Sequence, residues 1–389
     1  VCGPNVIDMS FAYFGCNNLT GQPVCGPNVI NMSCTYTGCT SLETAVCGPN
    51  VKAMWSTYQG CTNLTKAVFG PSMEYSDSTY SHCANLKTAA DEENLMAYFR
   101  TYENCTSLTT PVCGPNIIQL AFAYTNCPNI TTPVCGPNVI DMSGAYYGCV
   151  NIETPVCGEN VANMAYSYAN CPKIITPVCG NNVVDMSRTY CDCPNIVTPV
   201  CGEKVVNMSS AYTNCVNIKT AVCGNTVSNM SGAYQGCTNL TAAACADSVE
   251  NMHNTYMDCV NLIEPACGLS VTNMKNAYRN CYNIKTAVCG PNVNDMSYAY
   301  ASCKNITIAV CSENVTNMIG TYMDCINLTT AVCENNVQDM ISTYRNCTNL
   351  TTAVCGYNVI HMSHAYSNCT NLITAACGYK VKYMEDAYH

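Results

Sequence analysis

The chain has 389 residues with 15 Lys+Arg against 25 Asp+Glu, a formal net charge of −10. This is the wrong sign for a partner whose surface is a nucleic-acid backbone or an anionic membrane. Charged residues make up only 10% of the chain, so surface polarity must come from Asn, Thr, Ser and Tyr, and such a surface suits close contact with proteins or sugars. No apolar run reaches the roughly 18 residues a membrane-spanning helix needs, so no membrane span is expected in this segment.

One stretch organises the rest. Val24 to Ala45, VCGPNVINMSCTYTGCTSLETA, carries Cys25, Val29, Met32, Tyr36, Cys39 and Leu42. Adding 22 gives Cys47, Val51, Met54, Tyr58, Cys61 and Leu64, and the step repeats as far as Cys377, Val381, Met384 and Tyr388. The first unit alone is longer: Cys2 to Cys25 spans 23, with the extra residue in the turn Thr20 to Pro23. An unbroken period of this kind marks one array in which each unit packs on its neighbours. The expected organisation over 1–389 is a single repeat array of 17 complete units and a partial 18th. Val1 and His389 both fall inside a unit, as in a window cut from a longer chain.

Within a unit, Asn349 to Cys355 (NLTTAVC) reads as a short extended segment rich in Thr and Val. Gly26-Pro27-Asn28 is turn chemistry. Val29, Met32 and Tyr36 recur at i, i+3 and i+7, which predicts a short α or 3₁₀ segment. Together these give an α/β repeat solenoid: about 18 coils of 22 residues, each a short strand plus a short helix, with one parallel sheet at a strand spacing of about 4.8 Å. The core follows from positions that admit nothing polar. The position equivalent to Val29 is apolar throughout, the Leu42 position is Leu or Ile, and the Tyr36 position is Tyr from Tyr13 to Tyr388, which predicts a stacked aromatic column. The pattern frays over about 69–110, where Phe69 and Asp91 replace the first cysteine and Ser76 and Tyr98 replace the methionine. The acids Asp91, Glu92 and Glu93 meet there without the glycine-containing loop of a calcium site.

Of the 35 cysteines, all but Cys34 and Cys191 fall in two ladders, one containing Cys25 and Cys47 and the other Cys39 and Cys61. Cys39 and Cys47 flank a near-extended segment, too far apart for the Cα separation of about 7 Å that a disulfide allows. Buried free thiols acting as small apolar fillers are expected, and no metal site, because straight ladders do not converge four tetrahedral ligands. Asn63 and Asn85 belong to an asparagine ladder that predicts coil-to-coil amide hydrogen bonds. Acceptor triplets for glycosylation, such as Asn31-Met-Ser, arise from the repeat itself. Threonines from Thr44 to Thr374 form a column on the extended segment; the plain reading is β propensity, and an ordered surface such as ice or polysaccharide is the alternative partner. The most varied position follows the Ser of Asn-Met-Ser and holds Phe11, Cys34, Arg100, Phe122, Tyr166, Arg188, Tyr298 and His364; these, Cys34 aside, are the candidate interaction surface. Five histidines, none in a Ser/Cys-His-Asp setting, and the lack of a phosphate-binding Gly-rich loop give no catalytic or cofactor site.

The unit NVTNMIGTYMDCINL (Asn314 to Leu328) closely resembles the BspA-type leucine-rich repeat in its Asn-Val-Thr-Asn-Met-Ser variant, over the whole chain. This unit is shorter, and Tyr stands where that family usually has Phe. The resemblance implies a non-enzymatic protein exported to a cell or virus-particle surface that binds a protein or glycan as an adhesin. The alternative is a subunit of an extracellular filament or fibre that self-associates through uncapped ends.

Overall fold

A computed structural model describes residues 2–90, 93–331, 333–376 and 378–389. The chain forms two compact units, Val1–Cys193 and Pro194–His389, built from the same coil.

In each coil the Met-to-Cys stretch carries most of the coil-to-coil hydrogen bonding. Met32, Cys34, Tyr36 and Gly38 donate their N–H groups to the carbonyls of Ala53, Trp55, Thr57 and Gln59 in the next coil, at 2.8–2.9 Å. The intervening residues fold into turns, with Thr35 N–H bonding Met32 O at 3.0 Å and Cys39 N–H bonding Tyr36 O at 3.0 Å. A turn whose third residue has positive φ fits both: Cys34 lies at φ 55° and Gly38 at φ 75°.

The helix expected over Val29 to Tyr36 is therefore absent, as is any helix among the described residues. Its spacing has another cause. Alternate N–H groups point along the stack and the turns between them point Val29, Met32 and Tyr36 inward, all at 0% exposure. An i, i+3, i+7 pattern results without i→i−4 bonds, so the α/β class is corrected to a solenoid of turns and parallel bridges.

The expected sheet is corrected too. The described strands are two pairs of residues, β1 (Thr352–Ala353) and β2 (Thr374–Ala375), paired in parallel register. Elsewhere the extended segment makes isolated bridges, such as Lys66↔Thr88↔Thr110 and Thr220↔Ala242↔Glu264. In these pairs the earlier residue is followed by an alanine, and in most of them its N–H bonds the next coil, as Ala243 does to Glu264 O at 2.9 Å and Ala221 to Ala242 O at 3.0 Å. From Thr110 on in that unit the next position is Pro111, Pro133 or Pro155, and the bridges of the extended segment stop there, while those at the Asn31 position continue, as in Asp141↔Asn163. Proline has no N–H to give.

The tyrosine hydroxyl takes the rest of the segment's bonding capacity. Tyr36 Oη donates to Val24 O at 2.8 Å and accepts from Val24 N–H at 3.0 Å, so one hydroxyl satisfies both backbone groups of a residue in its own coil. Tyr58 does the same to Val46 and Tyr322 to Val310. Where this capture fails, a strand appears: the buried Tyr366 hydroxyl has no partner among the described residues, and beside it β1 pairs with β2. The rings stack with centroids 5.2–5.9 Å apart, from Tyr13 to Tyr190 in one unit and from Tyr212 to Tyr388 in the other. Offset aromatic pairs of this kind add about 0.5–1.5 kcal/mol beyond their buried area.

The frayed units are repacked. Phe69 occupies the cysteine position while Ser76 occupies the methionine position of the same coil, a large-for-small exchange. The Phe69 ring meets Tyr80 edge-on at 5.5 Å, and buried Tyr98 meets Tyr102 at 5.9 Å. Asp91 and Glu92, two of the three clustered acids, lie outside the described residues.

Candidate interaction surfaces

Each coil has two left-handed positions, and their residues obey different rules. The Gly38 position holds Gly, Asn or Asp from Gly15 to Asn368, as in Gly60, Asn104, Gly148, Asp192, Gly236 and Asp324, with His82 and Ser302 as exceptions. Gly, Asn and Asp tolerate this conformation best, so backbone preference accounts for the choice. Their side chains also bond along the stack: Asn126 Nδ2 donates to Asn104 Oδ1 at 3.0 Å, and Asn280 to Asp258 Oδ1 at 2.7 Å.

The Cys34 position adopts the same φ yet holds Phe11 (58°), Arg100 (52°), Phe122 (56°), Tyr166 (59°), Arg188 (54°), Tyr298 (56°) and His364 (57°). For an L residue with a bulky side chain this conformation costs about 1–2 kcal/mol. The sequence shows this position as variable; its strain is visible only once the turns are known.

These side chains form clusters. Arg100 packs its guanidinium over the rings of Phe99 and Phe122, 5.5 Å from each centroid, and the two rings meet edge-on at 6.4 Å. Arg188 lies 5.3 Å over Tyr166, beside a cavity of about 90 Å³ lined also by Tyr147, Asn170 and Asp192. Arg279 lies 5.9 Å over Tyr298. Phe122 covers Gly144 and Tyr298 covers Gly320 so closely that a Cβ on either glycine would collide with the ring. His364 Nδ1 stands 3.9 Å from Asp386 Oδ2. Phe11 is 57% exposed against Phe14, and Trp55 is 51% exposed on the same run of turns.

A second surface in unit Val1–Cys193 is a groove of about 710 Å³ between an asparagine column and exposed apolar residues, lined by Asn94, Met96, Asn116, Ile118, Asn138 and Ile140. Its amides are already occupied: Asn116 Nδ2 donates to Glu93 O at 2.7 Å and Asn138 Nδ2 to Pro115 O at 2.8 Å. Asn85 of the other ladder donates to Asn63 Oδ1 at 3.4 Å, whereas Asn151 reaches Pro128 O at 2.8 Å. Asn31 Oδ1 accepts from Ser33 N–H at 2.9 Å, capping the first turn, so the Asn-Met-Ser triplet has a structural use. The threonine column from Thr44 to Thr374 is exposed.

The two cysteine ladders differ in burial. Cys39 and Cys61 are buried, and Cys61 donates S–H to Tyr36 O at 3.1 Å; burial pushes its thiol up to about 12. Cys25 and Cys47 are only half-buried, which corrects the expectation of two buried ladders. Gly48 of the next coil brings its backbone against the sulfur of Cys25, where a Cβ would stand 2.7 Å away. Met32 and Met54 are fully buried, and Cys25 Sγ lies 3.5 Å from Met32 Sδ. Among the described residues no three His, Cys, Asp or Glu side chains converge as a metal cluster, and no helix is long and apolar enough to cross a membrane.

A coil of this construction, repeated at a constant 22 residues from Cys25 onward, defines a leucine-rich-repeat solenoid. The BspA type leucine rich repeat region matches residues 9–131, 208–323 and 275–388 in six copies, and the chain belongs to that family. A leucine-rich repeat protein from Bacteroides ovatus is similar in structure, with a TM-score of 0.59 at 14% identity over 88% of this chain and 85% of its own. A leucine rich cell surface protein of Faecalibacterium prausnitzii gives a TM-score of 0.39 at 14% identity over 92% of this chain and 77% of its own. The functional domain of InlJ from Listeria monocytogenes, described as including a cysteine ladder, gives 0.28 at 11% identity over 85% and 66%. Among curated proteins no sequence matches.

Proposed function

We propose that the chain is a non-enzymatic binding protein displayed on a cell or particle surface, an adhesin that engages a protein or glycan through the turn face of unit Val1–Cys193. The observation that carries this reading is the retention of Phe11, Arg100, Phe122, Tyr166 and Arg188 at left-handed positions, where Gly or Asn would fold more easily. Selection for stability alone works against these residues, so an external ligand is the simpler reason for keeping them. Aromatic rings and arginines are also the side chains that dominate binding interfaces. Membership of a leucine-rich repeat family, whose folds serve as interaction scaffolds, supports the same reading.

The test is retention of the purified chain on an epithelial monolayer, before and after protease or glycosidase treatment of the cells. Binding lost after protease assigns a protein ligand, and binding lost after glycosidase a glycan. An Arg100→Gly/Tyr166→Gly/Arg188→Gly variant should fall at least tenfold in retention. Undiminished retention of that variant, or no retention of the parent chain, would overturn the reading.

A further inference from the structure

The half-buried sulfurs of the first ladder form a column against the buried methionines. In coil after coil the first cysteine touches the methionine seven residues on: Cys2 to Met9 at 3.7 Å, Cys179 to Met186 at 3.5 Å, Cys201 to Met208 at 3.5 Å, Cys289 to Met296 at 3.5 Å and Cys311 to Met318 at 3.7 Å. One thioether is shared between coils. Met340 Sδ lies 3.4 Å from Cys333 Sγ and 4.0 Å from Cys355 Sγ. Three sulfurs bound to one small soft ion at about 2.3 Å stand about 4 Å apart, close to the spacing Met340 already keeps to both thiols.

From this geometry we propose that the column binds a soft monovalent metal ion of the copper(I) or silver(I) class, with Cys333, Met340 and Cys355 as one complete three-sulfur site. Zinc is not the ion, because it calls for four tetrahedral ligands, whereas the softer ion accepts two or three and favours thioether as well as thiolate. The column is reachable. Cys333 and Cys355 are half-buried, and the equivalent Cys2, Cys25 and Cys47 line an open groove of about 470 Å³. It also carries donors suited to a thiolate: Gly136 N–H points to Cys113 Sγ at 3.2 Å and Gly268 N–H to Cys245 Sγ at 3.1 Å. The other ladder offers none of this. Cys347 and Cys369 are buried, and each spends its S–H on a tyrosine carbonyl at 3.1 Å.

On binding, the ion replaces one thiol proton, which leaves to solvent as H⁺. The second cysteine and the methionine give lone pairs, no sulfur is oxidised or reduced, and the site is neutral, as a half-dry position favours.

The test is anaerobic footprinting of the reduced full chain with silver(I) in chloride-free buffer, reading alkylation of each cysteine by mass spectrometry. At substoichiometric silver, Cys333 and Cys355 should lose reactivity while the exposed Cys16, in the other ladder, keeps it. Met340→Leu, which keeps both thiols and the core volume, should weaken protection of Cys333 and Cys355 at least tenfold and leave Cys201 unchanged. Should that variant not fold, Cys355→Ser read at Cys333 gives the same comparison. Equal protection of Cys16, or protection indifferent to Met340 and Cys355, would show adventitious capture by single thiols and overturn the proposal.

Discussion

The two units share one core and differ on one face. In Val1–Cys193 the Cys34 position holds a single glycine, Gly144, and no Asn or Asp; in Pro194–His389 it holds Gly232, Asn254, Asn276, Gly320 and Asp386. All five phenylalanines and the single tryptophan fall in the first unit, and Phe11, Phe14, Trp55, Phe99 and Phe122 stand on its turn face. The buried columns of Tyr, Met, Leu or Ile and Cys run through both, interrupted in the first only by the repacked coils around Phe69, Ser76, Tyr98 and Leu120. The second unit therefore follows backbone preference at more of these exposed turns, with Tyr298 and His364 as its bulky exceptions, and the first departs from it more often, over packing that is largely the same. The difference separates what the fold requires from what the surface is used for.

The largest effect should come from the shared core, and it should be the same in both units. Tyr124→Phe and Tyr300→Phe each strip a hydroxyl that satisfies two backbone groups, of Val112 and Val288, and each should cost about 1–3 kcal/mol in urea unfolding. Tyr366→Phe is the control: its hydroxyl has no partner among the described residues, and the substitution should change stability by less than about 0.5 kcal/mol. A large loss there would show that the hydroxyl bond does not hold the segment.

Imposing the first unit's habit on the second should be the next largest effect. Asn276→Phe puts a bulky residue at φ 54° and should destabilise by about 1–2 kcal/mol. The reverse change, Ser342→Gly at φ 56°, should stabilise by about 1 kcal/mol or somewhat less, because glycine adopts this φ freely. Matching unfolding midpoints for all three chains would mean the turn carries no strain.

The smallest effect concerns the bridges. Pro155→Ala restores an N–H beside Thr154, so a bridge to Thr176 should form, worth about 0.5–1.5 kcal/mol less the entropy of the freer unfolded chain. Slower amide exchange at residue 155 than in an unstructured peptide is the readout.

How much of this was legible in the sequence depended on whether a property repeats by identity. The period, the tyrosine stack, the apolar Val29 and Leu42 positions and the two cysteine ladders repeat residue for residue, and the stack places them as their spacing implies. The backbone did not announce itself in that way. Val29, Met32 and Tyr36 imitate a helix because consecutive turns also bring them inward, and no composition rule tells the two apart. The Thr-Ala-Val-Cys segment has the composition of a strand, but the Tyr hydroxyl and Pro111 or Pro133 withdraw the groups a sheet would use. The site was legible as variability alone. That Phe122 and Arg188 sit at positive φ follows from the turns closed on the Met32-position carbonyl, which must be seen in three dimensions, although Gly144, Gly232 and Gly320 at the same position were a signal for it.

The account rests on the claim that the first unit keeps strained residues for a ligand, and one paired measurement tests it most directly. The Arg100→Gly/Tyr166→Gly/Arg188→Gly chain and its parent would be compared in urea unfolding midpoint and in retention on the epithelial monolayer. The prediction is a midpoint equal to or above the parent's, since relief of about 1–2 kcal/mol per turn outweighs cation–π contacts of about 0.5–1 kcal/mol, together with a loss of retention of at least tenfold. A lower midpoint with retention unchanged would contradict it, and would place these side chains among the supports of the fold.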